Sequence, residues 1–405
     1  MPRHAERWPL ALLLIAAAVL LTLSNTATGD YAVELRPSVD VLLAGDLHGF
    51  LATAPIYGPS VLPRIPFLFG ADALGADWVG VYLAGSIACM LAVSAIAYVL
   101  DGRLVALGRS RGVRSAVILT CLLAPVFTRA SPMGHPEEAL AGALCALALL
   151  ACLTGRPGWG GVALGAAVAA KPWAVLAILP ALVATEDGRW RLLFAAAATG
   201  AAAELPFLLS TPRGAGGTLS TLHAAPHSFH PTQLFWPLRE VLVDPVTGAT
   251  GYRGPEPIHR LSHGGIVLLA LPLSAIFAVR LRHGRVGRAD ALALLALLLF
   301  LRGLLDPWNS IYYVLPAILV LVSWEALSRP GLPVGAMALG SLTWLTFVAA
   351  PDHLGPDGLA ALYLAWALPA AVLLGRAAFF GAPEPRAAAQ PAISATAART
   401  SPGAI

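Results

Sequence analysis

The side chains best suited to acid–base chemistry lie in a polar stretch with apolar flanks, VDVLLAGDLHGFLATAPIYGPSVLPRIP over residues 39–66. Asp46 has His48 two residues away, and a carboxylate in such a place can take a proton from a substrate hydroxyl as a general base. Asp46 is therefore the catalytic candidate, although a helix-cap or turn aspartate explains the same residue. Asp40 is a weaker candidate because it has no comparable polar company. The same stretch supplies two candidate binding residues, Tyr57 and Arg64.

A second polar group, Gly134-His135-Pro136-Glu137-Glu138, opens an apolar segment. Acidic residues in the first turn of a helix complement its dipole, which is a purely structural explanation. His135, Glu137 and Glu138 at a membrane surface could also bind sugar hydroxyls or a divalent cation. Their spacing is not specific for a metal site, so we predict no metal and no required cofactor.

Lys171 is the one lysine among 26 basic residues and lies inside the apolar run GGVALGAAVAAKPWAVLAILPAL, residues 160–182. An ammonium group within a membrane segment costs about 2.5–3.5 kcal/mol on insertion scales and therefore needs a partner. A phosphate is a suitable partner, because lysine presents a compact point charge. The alternative is that the side chain extends to the membrane surface.

Three further residues are open to a structural and a binding interpretation. Arg302 and Asp306 are four residues apart in LRGLLDPWNSIYYVLPAIL, residues 301–319. On one helix face they could simply pair with each other. If they do not pair, each is free to bind a substrate. Trp236 could stack on a sugar or anchor its loop at the membrane surface.

The composition indicates which elements must position these residues. Of 405 residues, 58% are hydrophobic and 12% are charged, whereas a soluble domain carries roughly 25% charged residues. This excludes a soluble enzyme, and a net charge of only +4 gives no sign of a nucleic-acid partner. Twelve apolar segments predict an all-α polytopic membrane protein with about 11–12 transmembrane helices. They lie near residues 9–25, 78–100, 115–128, 137–154, 159–170, 173–185, 192–210, 264–281, 290–304, 311–327, 331–350 and 359–375.

The distribution of charge along the chain predicts its orientation. With the N-terminus inside, the inside connections carry 17 basic and 7 acidic residues, and the outside carries 9 basic and 15 acidic residues. Cytoplasmic loops are enriched in arginine, so this arrangement is self-consistent and places both termini in the cytoplasm. The first and fourth outside loops, near residues 26–77 and 211–263, are long. We therefore expect the specialised chemistry on the outer face of the plasma membrane.

The chain divides into two regions by composition. Residues 1–376 form a single integral membrane domain in this prediction. Residues 377–405 are rich in alanine, proline, serine and threonine, a composition typical of a disordered segment, and would form a cytoplasmic tail.

Three sequence elements resemble the GT-C superfamily of membrane glycosyltransferases. More narrowly, they are similar to the actinobacterial polyprenyl-phosphate-mannose-dependent mannosyltransferases of glycosyltransferase family 87. The elements are the run Asp46–Phe50 with Tyr57 after it, the polar helix start GHPEEALAGAL, and the glycine-rich run into Lys-Pro, GVALGAAVAAKPWA. They follow in order over roughly residues 40–320. The sequence departs from the family pattern at residues 135–138, where a Gln/Asn pair is more usual, and at Phe50, where tyrosine is.

The resemblance implies an inverting glycosyltransferase that transfers a sugar, with mannose as the leading candidate, from a polyprenyl-phosphate donor to a glycolipid or glycan of the cell envelope. Asp46 would deprotonate the acceptor hydroxyl. The donor phosphate would be bound by Lys171, Arg302 and Arg64. Sugar or acceptor would be bound by His48, Tyr57, His135, Glu137, Glu138, Trp236 and Asp306.

Two other functions fit the same sequence. A transporter or flippase of a lipid-linked glycan would place ionisable residues near the middle of the membrane, whereas most charges here lie near segment ends. A non-catalytic accessory protein of an envelope assembly would keep the GT-C fold without its activity. The lipid bilayer is a partner in all three interpretations.

Overall fold

The computed structural model describes residues 7–210, 229–243 and 250–381, and the sequence prediction of an all-α polytopic membrane protein is confirmed. In chain order the helices are α1 (Trp8–Leu23), α2 (Tyr31–Glu34), α3 (Arg36–Leu43), α4 (Leu47–Thr53), α5 (Ile65–Ala73), α6 (Trp78–Ala106), α7 (Arg111–Phe127), α8 (Pro136–Leu153), α9 (Pro157–Ala170), α10 (Ile178–Ala184), α11 (Arg189–Ser210), α12 (Glu256–Arg282), α13 (Ala291–Leu305), α14 (Leu315–Ser328), α15 (Val334–Trp344) and α16 (Pro356–Phe380). Short 3-10 segments at Gly58–Arg64, Pro172–Ala177 and Ile311–Val314 precede α5, α10 and α14, and a π turn at Leu345–Ala349 extends α15.

Each of the twelve predicted apolar segments lies on one of these helices. Within the described ranges, six helices are long and apolar enough to cross a membrane: α6, α8, α11, α12, α14 with its 3-10 turn, and α16. Shorter apolar helices complete the bundle. α16 continues to Phe380, beyond the boundary predicted at residue 376 for the tail. Residues 382–405 of that tail, and residues 211–228 and 244–249 of the predicted fourth outside loop, lie outside the described residues.

Local sequence signals explain where several helices begin. Proline occupies the first turn of α8, α9 and α16, where its missing N–H is not needed for an intrahelical hydrogen bond. Asp77 caps α6 by accepting from the Gly80 N–H at 2.8 Å, and Ser110 caps α7 by accepting from the Val113 N–H at 3.3 Å.

The connection between α1 and α6, predicted as a long loop, folds into the short helices α2 to α5. Its apolar side chains form a separate core that includes Tyr31, Leu35, Phe50 and Leu68. Phe50 packs edge-on against Phe207 near the end of α11, with 5.5 Å between ring centroids. This core fixes the connection against the bundle. A two-stranded antiparallel hairpin, β1 (Glu240–Val243) and β2 (Thr250–Arg253), lies in the second long connection.

Glycine allows α9 to lie close to α11. A Cβ on Gly161 would come within 2.3 Å of the Leu192 carbonyl oxygen, and one on Gly165 within 2.3 Å of the Ala196 carbonyl oxygen. Only glycine permits this approach of two backbones. The contact fixes α9, and α9 leads directly into Lys171.

Several helix ends meet at one side of the bundle. The start of α8, the end of α9, the end of α13 and the 3-10 turn before α14 are joined there by side-chain ion pairs and ring contacts. We call this side the polar end. The ends of α14 and α16 and the starts of α13 and α15 form the opposite end.

Candidate functional site

Glu137 and Glu138, in the first turn of α8, are both buried. Glu137 Oε1 lies 2.9 Å from His135 Nδ1 and 3.0 Å from Lys171 Nζ. Lys171 reaches this carboxylate because α9 stops at Ala170 and Lys171 itself has an extended backbone, with φ −152° and ψ 121°. Proline at the next position favours that extended conformation. The structure therefore places Lys171 as a buried ion-pair partner of Glu137.

Glu138 holds a second buried cation. Its two carboxylate oxygens lie 3.2 and 3.3 Å from the two terminal nitrogens of Arg302, an arrangement in which each oxygen accepts one N–H. Trp173 Nε1 donates to the same carboxylate at 3.1 Å. The Arg302 guanidinium also lies 4.7 Å from the Trp173 ring and 4.2 Å from the Tyr313 ring. Arg302 is thus held on its edge by a carboxylate and on its faces by aromatic rings.

Asp30, in the turn before α2, approaches the cluster from the first connection. Its Oδ2 lies 3.3 Å from His135 Nε2, and its backbone N–H donates to the Met133 carbonyl at 3.0 Å. Gly134 has φ +90°, and a Cβ there would lie 2.5 Å from the Tyr31 nitrogen, so the two segments meet at a point where only glycine fits. The Asp30 side chain is 53% exposed. Asp30 is therefore a carboxylate that faces outward at the edge of a buried charge cluster.

The two ends of this contact influence each other's pKa. Burial lowers the pKa of His135, but its hydrogen bonds to Asp30 and Glu137 outweigh burial and raise the pKa to about 9. The hydrogen bond from His135 holds the pKa of Asp30 below its ordinary value, although partial burial opposes this. At neutral pH the pair is therefore an imidazolium and a carboxylate.

Tyr57 closes the cluster on the side of the first connection. Its hydroxyl donates to Glu34, and Lys171 Nζ lies 4.1 Å from the centre of its ring. Burial and the nearby Glu137 carboxylate raise the pKa of Tyr57 far above its ordinary value. Tyr57 therefore stays a neutral donor that covers the Lys171 ammonium group.

Arg64 ends the 3-10 segment before α5 and is fully buried. Among the described residues, none of its three guanidinium nitrogens has a hydrogen-bond partner, and neither has Oε2 of Glu137, with which Arg64 interacts electrostatically. A buried guanidinium without partners costs free energy, and such groups in native proteins are usually satisfied by an anion or water. Arg64 is thus a buried cation beside the cluster whose N–H groups are available to a ligand.

The structure brings together seven of the predicted residues: Arg64, Lys171, Arg302, Tyr57, His135, Glu137 and Glu138. Four others lie elsewhere. Asp46 caps α4 by accepting from the Gly49 N–H at 2.8 Å, and it and His48 are exposed. The structural alternative for Asp46, a helix cap, therefore describes its position. The structure gives neither residue a contact with the cluster.

Trp236 and Asp306 also take part in other contacts. Trp236 is buried, donates to Asp357 at 2.7 Å and stacks on Phe229, so it is not a free platform for a sugar. Asp306 accepts from His263 at 3.1 Å and from the Trp308 N–H at 2.9 Å. The alternative in which Asp306 pairs with Arg302 on one helix face does not occur, because the helix ends at Leu305 and the backbone of Asp306 is extended.

The sequence interpretation missed two groups of residues. Asp30 and Glu34 lie just after the first apolar segment, on either side of Tyr31, and their spacing does not mark a site. Trp173, Tyr312 and Tyr313 are not among the predicted site residues, but they enclose Arg302 and His135, with Tyr312 4.5 Å from the His135 ring. Contacts between elements that are distant in the sequence reveal these roles.

Asp30, Glu34 and His135 could together hold a metal ion, since one ligand atom from each lies within 4.8 Å of the others. Two carboxylates and one imidazole suit a divalent transition metal. Coordination requires that His135 lose its proton, which its raised pKa opposes. The arrangement therefore favours the ion pair of His135 and Asp30.

Comparison with known families adds one finding. The model of glycosyltransferase family 87 matches residues 73–305, more than half of the chain. The matched range includes Glu137, Lys171 and Arg302, and it begins after Asp30 and Arg64. No curated protein and no solved structure gives a match.

Proposed function

The chain belongs to glycosyltransferase family 87. We propose that it transfers a sugar, with mannose as the leading candidate, from a polyprenyl-phosphate donor to a hydroxyl of an envelope glycolipid or glycan. The observation that supports this most is the cluster at the polar end, where buried cations lie beside a half-exposed carboxylate. A sugar phosphate needs cations for its leaving group, and an acceptor hydroxyl needs a base. The cluster offers both within one side of the bundle.

The charge of the cluster suits a phosphate that leaves. Its buried part holds Arg64, Lys171, Arg302 and protonated His135 against Glu137 and Glu138, four cations and two carboxylates. The donor phosphate is a diester with one negative charge, whereas the released polyprenyl phosphate carries about −1.5 to −2 at neutral pH. The net positive charge of this buried part therefore stabilises the transition state more than the bound donor. Arg64, whose guanidinium has no hydrogen-bond partner among the described residues, is the first contact we assign to the phosphate.

Asp30 replaces Asp46 as the base in this proposal. The acceptor oxygen attacks the anomeric carbon, its proton passes to Asp30, and the bond from that carbon to the phosphate oxygen breaks, which inverts the anomeric configuration. His135 keeps Asp30 ionised and fixes its orientation. Neither step requires a metal, because guanidinium and ammonium groups bind the phosphate directly.

The proposal places the polar end at the outer face of the plasma membrane. The arginine distribution supports this orientation, since the opposite end carries most of the inside arginines in the sequence prediction. The donor would then reach the cluster from the outer leaflet, with its polyprenyl chain in the bilayer.

Asp30→Asn tests the assignment of the base, with Asp46→Asn as its matched control. In membranes supplied with a radiolabelled polyprenyl-phosphate mannose, we expect Asp30→Asn to lower transfer by about 10²–10⁴-fold, the usual contribution of a general base. Asp46→Asn should retain most of the transfer, because Asp46 only caps α4. Equal activity of the two variants would remove Asp30 from the mechanism, and absence of transfer by the unmodified protein from any polyprenyl-phosphate sugar would refute the donor class.

A further inference from the structure

A large cavity lies at the opposite end of the bundle, away from the candidate site. Its volume is about 1080 Å³, slightly above the range of roughly 300–1,000 Å³ for sites that hold a drug-sized ligand. The end of α14, the start of α15 and the second half of α16 form its walls. None of the residues of the charge cluster lines it. Whatever this cavity holds is therefore not bound by the proposed catalytic residues.

The walls of the cavity are apolar and include two tryptophans. Leu321, Leu339 and Leu373 line it together with Trp324 and Trp366. Leu373 is exposed on the outer surface of α16, where a membrane protein meets the acyl chains of the bilayer. An apolar cavity bounded by such a helix suits a hydrocarbon chain that enters from the side.

The acidic groups of the cavity already have hydrogen-bond donors. Asp290 accepts from Trp324 Nε1 at 3.0 Å and from the Gly287 N–H at 2.9 Å. Glu325 accepts from the N–H groups of Gly335 and Ala336, at 3.0 and 2.9 Å, at the start of α15. Both carboxylates are thus satisfied mainly by neutral donors of the protein.

The basic groups of the cavity are less occupied. Arg376 is exposed, and within the described ranges it has no ion-pair partner. Arg329 is half-exposed, and its contact with Glu325 is a single one at 3.4 Å. The open hydrogen-bonding capacity at this end of the cavity is therefore that of two guanidinium groups, which match a phosphate in geometry and charge.

We propose that the cavity binds an anionic glycerophospholipid, with its acyl chains against the leucine and tryptophan walls and its phosphodiester on Arg329 and Arg376. The ligand must have an apolar body and an anionic head, because the same cavity has apolar walls and two arginines, Arg376 without an ion-pair partner among the described residues and Arg329 with a single contact to Glu325. Basic groups at the membrane surface attract anionic lipids over zwitterionic ones. The proposal concerns a site separate from the reaction and does not depend on the donor or the sugar.

Quenching of Trp366 by brominated lipid tests the proposal. Trp366 is 9% exposed, so bulk lipid reaches it poorly, but it lines the cavity. The full chain in phosphatidylcholine vesicles would receive increasing fractions of phosphatidylglycerol with brominated acyl chains. The signal of Trp366 is the difference in fluorescence between the unmodified protein and Trp366→Phe. We expect saturable quenching of this difference by phosphatidylglycerol at low mole fractions, and weaker quenching by brominated phosphatidylcholine.

Arginine substitutions separate the site from general attraction to the surface. Arg329→Gln with Arg376→Gln should raise the half-saturating fraction about fivefold for each arginine. Arg103→Gln with Arg111→Gln removes two exposed arginines at the α6–α7 turn, outside the cavity, and should leave it unchanged. Native mass spectrometry of the purified protein gives a second readout: a retained phosphatidylglycerol should be lost only in the first double variant.

Three results would overturn the proposal. Equal quenching by the two brominated lipids would show that the headgroup is not recognised. The absence of Trp366 quenching and of a retained lipid would show that no lipid occupies the cavity. Quenching that begins only after removal of residues 382–405 would identify the chain's own C-terminal segment as the occupant.

Discussion

Arg64 and Arg302 are two buried guanidinium groups of the same cluster, and of the two only Arg302 is hydrogen-bonded to a carboxylate among the described residues. Arg302 has a carboxylate on its edge and aromatic rings on its faces. Arg64 has no hydrogen-bond partner among the described residues. A buried cation without a hydrogen-bond partner lowers the stability of the fold, so its presence indicates a role in ligand binding. Structural and functional charges can be told apart on this basis.

Arg64→Met should separate activity from stability. Removal of an unpaired buried cation relieves its desolvation cost, so we expect a melting temperature at least as high as that of the unmodified protein. Transfer from a polyprenyl-phosphate donor should fall by about 10²–10³-fold, the usual effect of losing one group that stabilises developing negative charge. Thermal unfolding in detergent and a transfer assay measure the two effects on the same preparation.

Glu138→Ala is the control for Arg64→Met, because it should lower stability by removing the partner of a buried cation. It leaves Arg302 buried without its carboxylate, so the free energy of unfolding should fall by about 3–5 kcal/mol. If Arg64→Met melted as low as Glu138→Ala, Arg64 would be a structural residue and its role in phosphate binding would be wrong.

The pH dependence of stability should report His135. Its pKa rises from an ordinary value of 6.5 to about 9 in the fold, so the protonated form stabilises the folded state. This contribution is complete below pH 6.5 and is lost as the pH rises through 9. The melting temperature of the unmodified protein should therefore fall more steeply between pH 6.5 and 9 than that of His135→Gln. Parallel curves would show that His135 is not protonated in the fold.

The sequence predicts which residues belong to the site better than it predicts which residues they contact. Lys171 was identified because it is the single lysine in an apolar segment, and Glu137 and Glu138 because they open a helix. Asp46 was preferred to Asp40 on its local neighbours and Asp30 was not a candidate, because the contact that marks Asp30 joins it to His135, 105 positions away. Local sequence contains no information on that distance, because it is set by the packing of α2 against the turn before α8.

At the scale of elements, the position of Lys171 depends on how α9 is packed. The structure shows α9 against α11 with Gly161 and Gly165 at the interface. The short helices between α1 and α6 were not predicted, because their apolar residues follow no long helical period. Their core with Phe207 carries Tyr57 and Arg64 to the cluster. Periodic segments could thus be predicted from sequence, and short segments stabilised by tertiary contacts could not.

Gly161→Ala should displace α9, with Gly158→Ala in the same helix as its control. The new Cβ at Gly161 would lie 2.3 Å from a backbone oxygen, and overpacking of this kind costs about 1–3 kcal/mol. At Gly158 nothing lies within 4 Å, so alanine should be neutral or stabilise by about 0.4–1 kcal/mol. Because α9 leads into Lys171, we expect Gly161→Ala to lower both the melting temperature and sugar transfer. Identical behaviour of the two variants would contradict this packing.

At the scale of the whole molecule, charge is divided between the two ends of the bundle. The polar end combines buried cations with carboxylates, and the opposite end combines surface arginines with an apolar cavity. The segments of the membrane domain were predictable from hydrophobicity alone, since composition decides which residues can contact lipid. The orientation in the membrane rests on the arginine distribution, and the fold itself would be the same in either orientation. Orientation therefore needs its own measurement.

Labelling of single introduced cysteines measures the orientation of the protein in the membrane. The four native cysteines, Cys89, Cys121, Cys145 and Cys152, are buried, so their background reaction with a membrane-impermeant maleimide should be low. Exposed His48 lies in the first connection, on the side of the polar end, and exposed Arg111 begins α7 at the other side. We expect His48→Cys to be labelled in intact cells and Arg111→Cys only after the membrane is disrupted. The reverse pattern would place the cluster in the cytoplasm. A donor in the outer leaflet could not then reach it, so the direction of the proposed reaction would be wrong even with the same catalytic residues.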